Sequence, residues 1–397
     1  MVSLTSAENA LKTVYLGVVA NQLNVNANPL LGKIKQSTSD VWGKEIKKLA
    51  PYGINGGVGA GTEDGKLPNA GENKYATFTA TLKNLYGKIE LTDKAIRASQ
   101  NSAGSFVNLL NDEMEGLIKA SSFNLGRMLY GNGTGKLATI TEVYADDIYK
   151  LKVDSVKYMI EGMIINVFSG NNQVHTSRIK YVDRVNKVLH LEHEVSYASV
   201  GFEIYVQGSK DNEITGLGSL FSDEDTIYGL SKTEYPWLKS YTKTDAGEIS
   251  DGLIQSAIDF LEEVSGSEIN YISCSQQVRR AYQEYLGAYR RNIDIAELAG
   301  GFKAITYNGI PLVADRFVED DTMYLLNTND FTLHQLCDWN WLENEDGKVL
   351  RQSENKPIYT ATLVKYADLI CDRPNGQAKI SGISATVTNP FATVVNA

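Results

Sequence analysis

The apolar positions of residues 74–91, KYATFTATLKNLYGKIEL, recur with a period of two. Ala76, Phe78, Ala80 and Leu82 share one face, while Leu85, Gly87, Ile89 and Leu91 fall on the opposite parity, so the strand should bulge or twist near Asn84. Residues 41–54 supply a shorter strand ending near Pro51. Between them, residues 55–73 carry Gly56, Gly57, Gly59, Gly61, Gly65, Pro68 and Gly71, the chemistry of a mobile tip. Fully extended, the returning strand spans roughly 60 Å at ~3.3 Å per residue. A two-stranded ribbon of that length is marginal alone in water. No adjacent apolar segment covers it, so the expected cover is another copy of the chain.

The period then changes. Over residues 102–130, Phe106, Leu110, Met114, Leu117, Ser121, Leu125 and Met128 form one stripe, which predicts a helix of about 43 Å at ~1.5 Å per residue, stopped by Gly131. Upstream, Ala10, Leu11, Val14, Tyr15 and Val18 predict a helix over 6–21 with Ser6 as N-cap, followed by NVNANPLLGKI, an aperiodic extended arm containing Pro29. From about 141 to 216 the texture is short β runs (VDSVKYMI, MIINVF, RIKYVD, KVLHL, FEIYVQG), which predicts a compact barrel or sandwich. Its flanks, GNGTGKL and GLGSLF, read as two halves of one interrupted loop, so the module is expected to be an insertion. Helices follow over 251–264 and 276–289, with strands near 271–274, 322–327, 331–337 and 358–371 and a turn at NGIPL, 308–312. Without a regular βαβ alternation, the class is α+β.

Composition narrows the chemistry. The chain has 397 residues, 43% apolar and 22% charged, enough for two or three ordinary globular domains. No apolar run approaches the roughly 20 residues of a membrane span, and the N-terminus lacks the pattern of an export signal. Cys274, Cys337 and Cys371 are scattered and odd in number, which suits reduced thiols. A formal charge of −10 argues against gripping nucleic acid through its phosphates, though a container wall need not grip its cargo. The 22 tyrosines suit subunit interfaces. GNGTGKL has Tyr130 where a phosphate loop needs its first glycine and Leu137 where it needs Ser or Thr. The glycines of GVGAG (57–61) open no helix after a strand. His190 and His193 face opposite sides of a strand, and the acidic runs at 222–225 and 319–321 lack calcium-loop spacing. No catalytic group, cofactor or metal is expected.

The order of parts now matters: arm, glycine-tipped ribbon, long helix, GNGTG linker and a mixed domain containing GLSKTEYPWLKSY (229–241), GGFKAITYNGIPLVADRFVEDDTMYLLN (300–327) and YADLICDRPNGQAKISGI (366–383). This set resembles the major capsid proteins of tailed bacteriophages, the Hong Kong 97-type coat fold. The resemblance implies an N-terminal arm over 1–40, an extended loop over 41–91, and a peripheral domain over 92–140 and 331–367 with its spine helix at 102–130. It further implies an inserted barrel at 141–216, an axial domain over 217–330 and 368–386, and a tail at 387–397. The implied function is structural: pentamers and hexamers of one chain close an icosahedral shell around double-stranded DNA, in the virion, after synthesis in the host cytoplasm.

Lys66, Pro68, Tyr75, Phe78, Leu82, Ile89, Pro29 and Leu30 become the candidate subunit-interface residues. Because the chain starts at the arm, a separate scaffolding protein or a prior cleavage is implied, as is a portal; no membrane partner is. Lys66 and Lys74 are possible donors for the lysine–asparagine crosslink of some such capsids, but no acceptor or catalytic glutamate can be matched. Two other readings stay open: a β-rich tail protein whose 141–216 module binds a receptor, and an intracellular enzyme whose site assembles only in space.

Overall fold

The computed structural model describes residues 28–94, 103–289, 295–297, 303–343 and 347–384. The helix expected over 6–21, the tail 387–397 and the side chains of Phe106 and Leu110 lie outside the described residues.

The body is organised on the antiparallel pair Phe331–Trp341 and Ile358–Cys371. Lys35–Ser37 adds in parallel to the first of these, and Lys83–Thr92 adds antiparallel to the second over its full 10 residues. One side of Lys83–Thr92 (Leu85, Gly87, Ile89 and Leu91) is buried, while Tyr86, Lys88 and Glu90 are exposed. The cover is the long helix Ala103–Tyr130, whose Met114, Ile118 and Leu125 are buried in the same cluster. The approach is close enough that a Cβ at Gly87 would sit 2.8 Å from Leu117 Cδ1, so only glycine fits beneath the helix. Burial changes parity between Leu82 and Leu85, at the break separating Lys74–Thr81 from Lys83–Thr92. The sequence placed this switch near Asn84.

The outer part of the ribbon pairs Glu45–Tyr52 with Lys74–Thr81, and Ile46, Ala50, Ala76, Phe78 and Ala80 form its buried face. Here the expectation of an intermolecular cover is overturned. Phe78 is fully buried, with its ring 5.3 Å from Tyr228 and stacked 5.8 Å from Trp237. Tyr52 stacks on the other end of the same patch, 5.7 Å from Trp237, and Thr79 N–H donates to the Tyr228 carbonyl at 2.9 Å. Leu82 and Ile89 are likewise buried by their own chain. The covering surface comes from residues 226–238, far along the sequence, so local periodicity could not reveal it.

The arm is corrected in the same way. Residues 28–34 form a capped turn, not an extended stretch: Asn28 Oδ1 accepts from Leu30 N–H at 2.8 Å, and Asn28 Nδ2 donates to Asp315 Oδ2 at 3.0 Å. Leu30 is fully buried and Pro29 half-buried, so Leu30 is not available to a neighbour.

Six strands between Lys136 and Val206 close into a barrel. The chain enters from the C-terminal end of the long helix and returns beside it, where a Cβ at Gly216 would collide with the Met128 carbonyl. A bidentate ion pair between Arg127 and Glu213, one bond at 2.9 Å, fastens the returning segment to the helix in a nearly water-free site. A second, seven-stranded mixed sheet centres on Tyr271–Cys274 and carries the helices Asp251–Ser265 and Gln276–Tyr289 over a separate core. Ser250 caps the first of these helices by accepting from Leu253 N–H. Asn308 and Gly309, both at positive φ, turn Lys303–Tyr307 into Ile310–Ala314. The strand Ile358–Cys371 runs straight through position 368, where a division between domains was expected.

Two stability measurements on unassembled protein test this packing. Phe78→Ala is expected to lose about 3 kcal/mol in denaturant unfolding, whereas Tyr75→Ala, on the opposite face, changes stability by less than about 0.5 kcal/mol. Equal small effects would mean that the ribbon base is not packed on its own chain. Glu213→Gln leaves a buried guanidinium without its counter-charge and is expected to cost about 3–5 kcal/mol in the same assay.

Candidate assembly surface

With one face of the ribbon occupied, strict alternation leaves the other in water. Leu49 and Tyr75 point outward there, 65% and 57% exposed, among Pro51, Thr77 and Thr79. Trp42, at the root, is 73% exposed. Beyond the strands, Asn55 pins the neck of the tip: its Oδ1 accepts from Gly57 N–H at 2.9 Å and its Nδ2 donates to the Gly71 carbonyl at 3.3 Å. The tip then presents Ile54, Val58 and Leu67, each about nine-tenths exposed, beside Lys66 and Pro68. So many exposed large apolar groups at the end of a projection are unusual on a monomer and make the tip a candidate interaction surface.

A second feature lies along the long helix. Two adjoining clefts, of about 640 and about 1060 Å3, run over its solvent side. Leu117, Ala120 and Asn124 form the shared floor, Tyr86 and Lys88 one wall, and the barrel's Val206 and Gln207 the other. The larger cleft adds Ile164 and Arg178 from the barrel, with Arg316 at its end. Arg316 lies over the Phe123 ring at 4.7 Å and Arg178 Nε donates to the Gly162 carbonyl at 3.1 Å. Neither makes an ion pair among the described residues. Asn124 Oδ1 and Trp339 Nε1, both lining the smaller cleft, are shielded from water and have no hydrogen-bond partner among the described residues.

Electrostatics at the ribbon root and the barrel exit are governed by burial. His334 Nδ1 lies 3.2 Å from the Ser39 carbonyl, and desolvation holds the ring below its ordinary pKa, hence neutral. Beside it Lys48 donates to Asp372 at 2.7 Å, fixing the ribbon to the end of the Ile358–Cys371 strand. Asp368 accepts from Thr215 N–H at 2.6 Å and from its hydroxyl at 3.1 Å, yet full burial still pushes its carboxyl up to about 6. Burial also raises the thiols of Cys274 and Cys371, which removes them as nucleophiles at neutral pH. Among the described residues no group of three or more His, Cys, Asp or Glu side chains converges as a metal site. His190 instead packs against Tyr181, 5.4 Å between rings. No helix among the described residues is long and apolar enough to cross a membrane.

Of the eight expected interface residues, Lys66, Pro68 and Tyr75 are exposed on the ribbon, Pro29 is half-buried, and Leu30, Phe78, Leu82 and Ile89 belong to the core. The sequence reading missed Trp42, Leu49, Ile54, Val58 and Leu67. A signal for one of them existed: in an antiparallel ribbon whose buried face holds Phe78, Leu49 falls on the outer face with Tyr75.

The sequence matches no protein-family model and no curated protein. The fold does have solved counterparts. Over 91% of this chain and 92% of the other, it is similar to a chain of the cyanophage A-1(L) capsid asymmetric unit, with a TM-score of 0.54 and 12% identity. Chains from Mycobacterium phage Bobi (TM-score 0.45, 9% identity, 96% of this chain and 98% of that one) and Gordonia phage Cozz (TM-score 0.45, 10% identity, 90% and 87%) are also similar. The chain thus has a bacteriophage capsid-protein fold, in keeping with the resemblance carried by the order of its parts.

Asp368 provides a pH test. Its folded pKa, about 6, lies above the ordinary carboxylate value, so the fold favours the protonated form. The stabilisation is complete below about pH 4 and is lost as pH rises through the folded value, an effect on the order of 3 kcal/mol. Unfolding of Asp368→Asn should lack this component. Identical pH profiles for the wild type and the variant would show that Asp368 does not titrate in this range.

Proposed function

We propose that the chain is the major capsid protein of a tailed bacteriophage, building an icosahedral shell around double-stranded DNA from pentamers and hexamers of itself. The observation that carries this reading is fold similarity to a cyanophage capsid chain along nearly the whole of both molecules. In Hong Kong 97-type terms, residues 1–40 are the N-terminal arm and 41–91 the extended loop. Residues 92–140 and 331–367 form the peripheral domain, 217–330 and 368–386 the axial domain, with an inserted barrel at 141–216 and a tail at 387–397. The protein resides in the virion, is made in the host cytoplasm and works with a scaffolding protein and a portal. It is a wall and not an enzyme, and it uses no cofactor; its charge of −10 suits enclosure of DNA without tight binding.

The physical driver is the ribbon tip. A projection that buries its apolar end on a different surface of the next copy makes a head-to-tail contact, and such contacts close into rings. Burying Ile54, Val58 and Leu67 contributes about 1.5–3 kcal/mol each, offset by association entropy and the ordering of the loop. Tyr75 and Leu49 extend the contact along the ribbon's free face.

Deleting residues 56–71 removes the tip and leaves the packed base intact. The expected product is a folded, soluble protein that forms no shells when expressed with its neighbouring genes. Particles of normal yield and stability in electron micrographs would refute the proposal. Fibre-like trimers from the intact protein would favour a tail component instead.

A further inference from the structure

We infer that the outer wall of the barrel carries a carbohydrate site, in which the Tyr181 ring stacks on one face of a neutral pyranose while Asp147 and Asp183 accept hydrogen bonds from its hydroxyls. The site goes beyond the coat reading, because it belongs to the single chain whatever that chain assembles into.

Strand register builds it. Lys150, His190 and Tyr181 stand side by side on three neighbouring strands, Lys150–Val153, Val188–Leu191 and Asn172–Asp183. The residues next to them, Leu151, Leu189 and Val182, are buried in the barrel, so by alternation this row points outward. The His190 ring braces Tyr181 at 5.4 Å, yet Tyr181 stays 49% exposed. A ring held in place and left in water offers a flat apolar face at little further loss of freedom on binding. The C–H face of a sugar ring matches it in size and shape.

The polar groups around the ring are fixed as well. Asp147 Oδ2 pairs with Lys150 Nζ at 2.9 Å, and its Oδ1 accepts from Tyr149 N–H at 3.1 Å. Asp183 Oδ1 accepts from the Val185 and Asn186 N–H groups, each at 3.0 Å, and its Oδ2 from Asn186 Nδ2 at 2.8 Å. The bond from Lys150 holds the Asp147 carboxyl below its ordinary range, and those from Asn186 do the same for Asp183. The His190 ring adds to both effects, which puts the two carboxylates around the same imidazole. Both are ionised acceptors with capacity to spare.

That chemistry selects the occupant. Among the described residues no group of three or more His, Cys, Asp or Glu side chains is arranged for a metal. Two carboxylates beside one ammonium disfavour phosphates and acidic sugars. A neutral sugar supplies what the row lacks: hydroxyl donors for the carboxylates and C–H groups for the ring. So open a site binds one sugar weakly, and display of many copies on one particle would multiply the effect.

The full-length chain is tested on an array of bacterial surface polysaccharides and in native gels containing dextran, mannan or alginate. Retention by a neutral polysaccharide, and none by the acidic alginate, is expected. Tyr181→Ala should weaken that retention about tenfold or more, and Tyr181→Phe, which keeps the ring, by less than about twofold. Thermal melting and particle yield should be unchanged in both. Tyr197→Ala is the control and should bind as the wild type does: its ring lies on His175, roughly 20 Å along the strand from Tyr181 at ~3.3 Å per residue. Absence of retention by every neutral polysaccharide, retention by alginate alone, or retention that survives Tyr181→Ala overturns the site and leaves the coat reading intact. Loss of particles in Tyr181→Ala with sugar binding unchanged would make Tyr181 a protein contact, and overturns it too. Failure of the wild type to form particles sinks the coat reading and leaves the site standing.

Discussion

The structure depends on the ten-residue antiparallel pairing of Lys83–Thr92 with Ile358–Cys371, clamped by the long helix. It turns one half of an otherwise unsupported ribbon into an internal strand of the body. Each backbone group on its paired edge is satisfied, and its apolar face is roofed by a helix that approaches closely because Gly87 has no side chain. Everything outward of Leu82 is then a cantilever on a fixed root. Without that root, a glycine-rich tip with three exposed apolar side chains would be an aggregation hazard.

The cantilever is stiffened over part of its length. Phe78 and Tyr52 lock the paired strands onto Tyr228 and Trp237, so the ribbon is rigid out to about Tyr52 and Lys74 and changes character beyond the Asn55 neck. That division separates two tasks. Burial on its own chain sets the direction of the ribbon, and exposure at the tip leaves an apolar surface for association. A rigid arm loses less freedom on binding than a floppy one, so in the coat role proposed above the packed base would lower the entropic cost of each contact.

The barrel is held to the body by a different kind of interaction. Arg127 and Glu213 form a bidentate pair with almost no water access, and the neighbouring glycines allow the two crossing segments to touch. Such a pair adds little net stability over well-packed apolar residues but is strongly penalised when broken, so it specifies one position of the barrel relative to the helix. A fixed barrel is what gives the cleft beside the helix two definite walls.

Much of this architecture was legible in the chain. Period-two and period-3.6 patterns located the ribbon, the long helix, the later helices at Asp251–Ser265 and Gln276–Tyr289, and the parity switch near Asn84, because these depend on neighbours within a few residues. The Asn308–Gly309 turn was readable for the same reason. What the sequence could not decide was which molecule covers an apolar face. Phe78 carries the same alternation whether its cover is another copy or Tyr228 and Trp237, more than a hundred residues on, and Ile89 whether it is another copy or the long helix; only tertiary packing chose the chain itself. With the inner face assigned to the chain itself, the exposed apolar groups are those of Leu49, Tyr75 and the tip, and the cleft along the helix exists only because the barrel returns beside it. Periodicity reports that a side chain must leave water; long-range contacts determine where it goes.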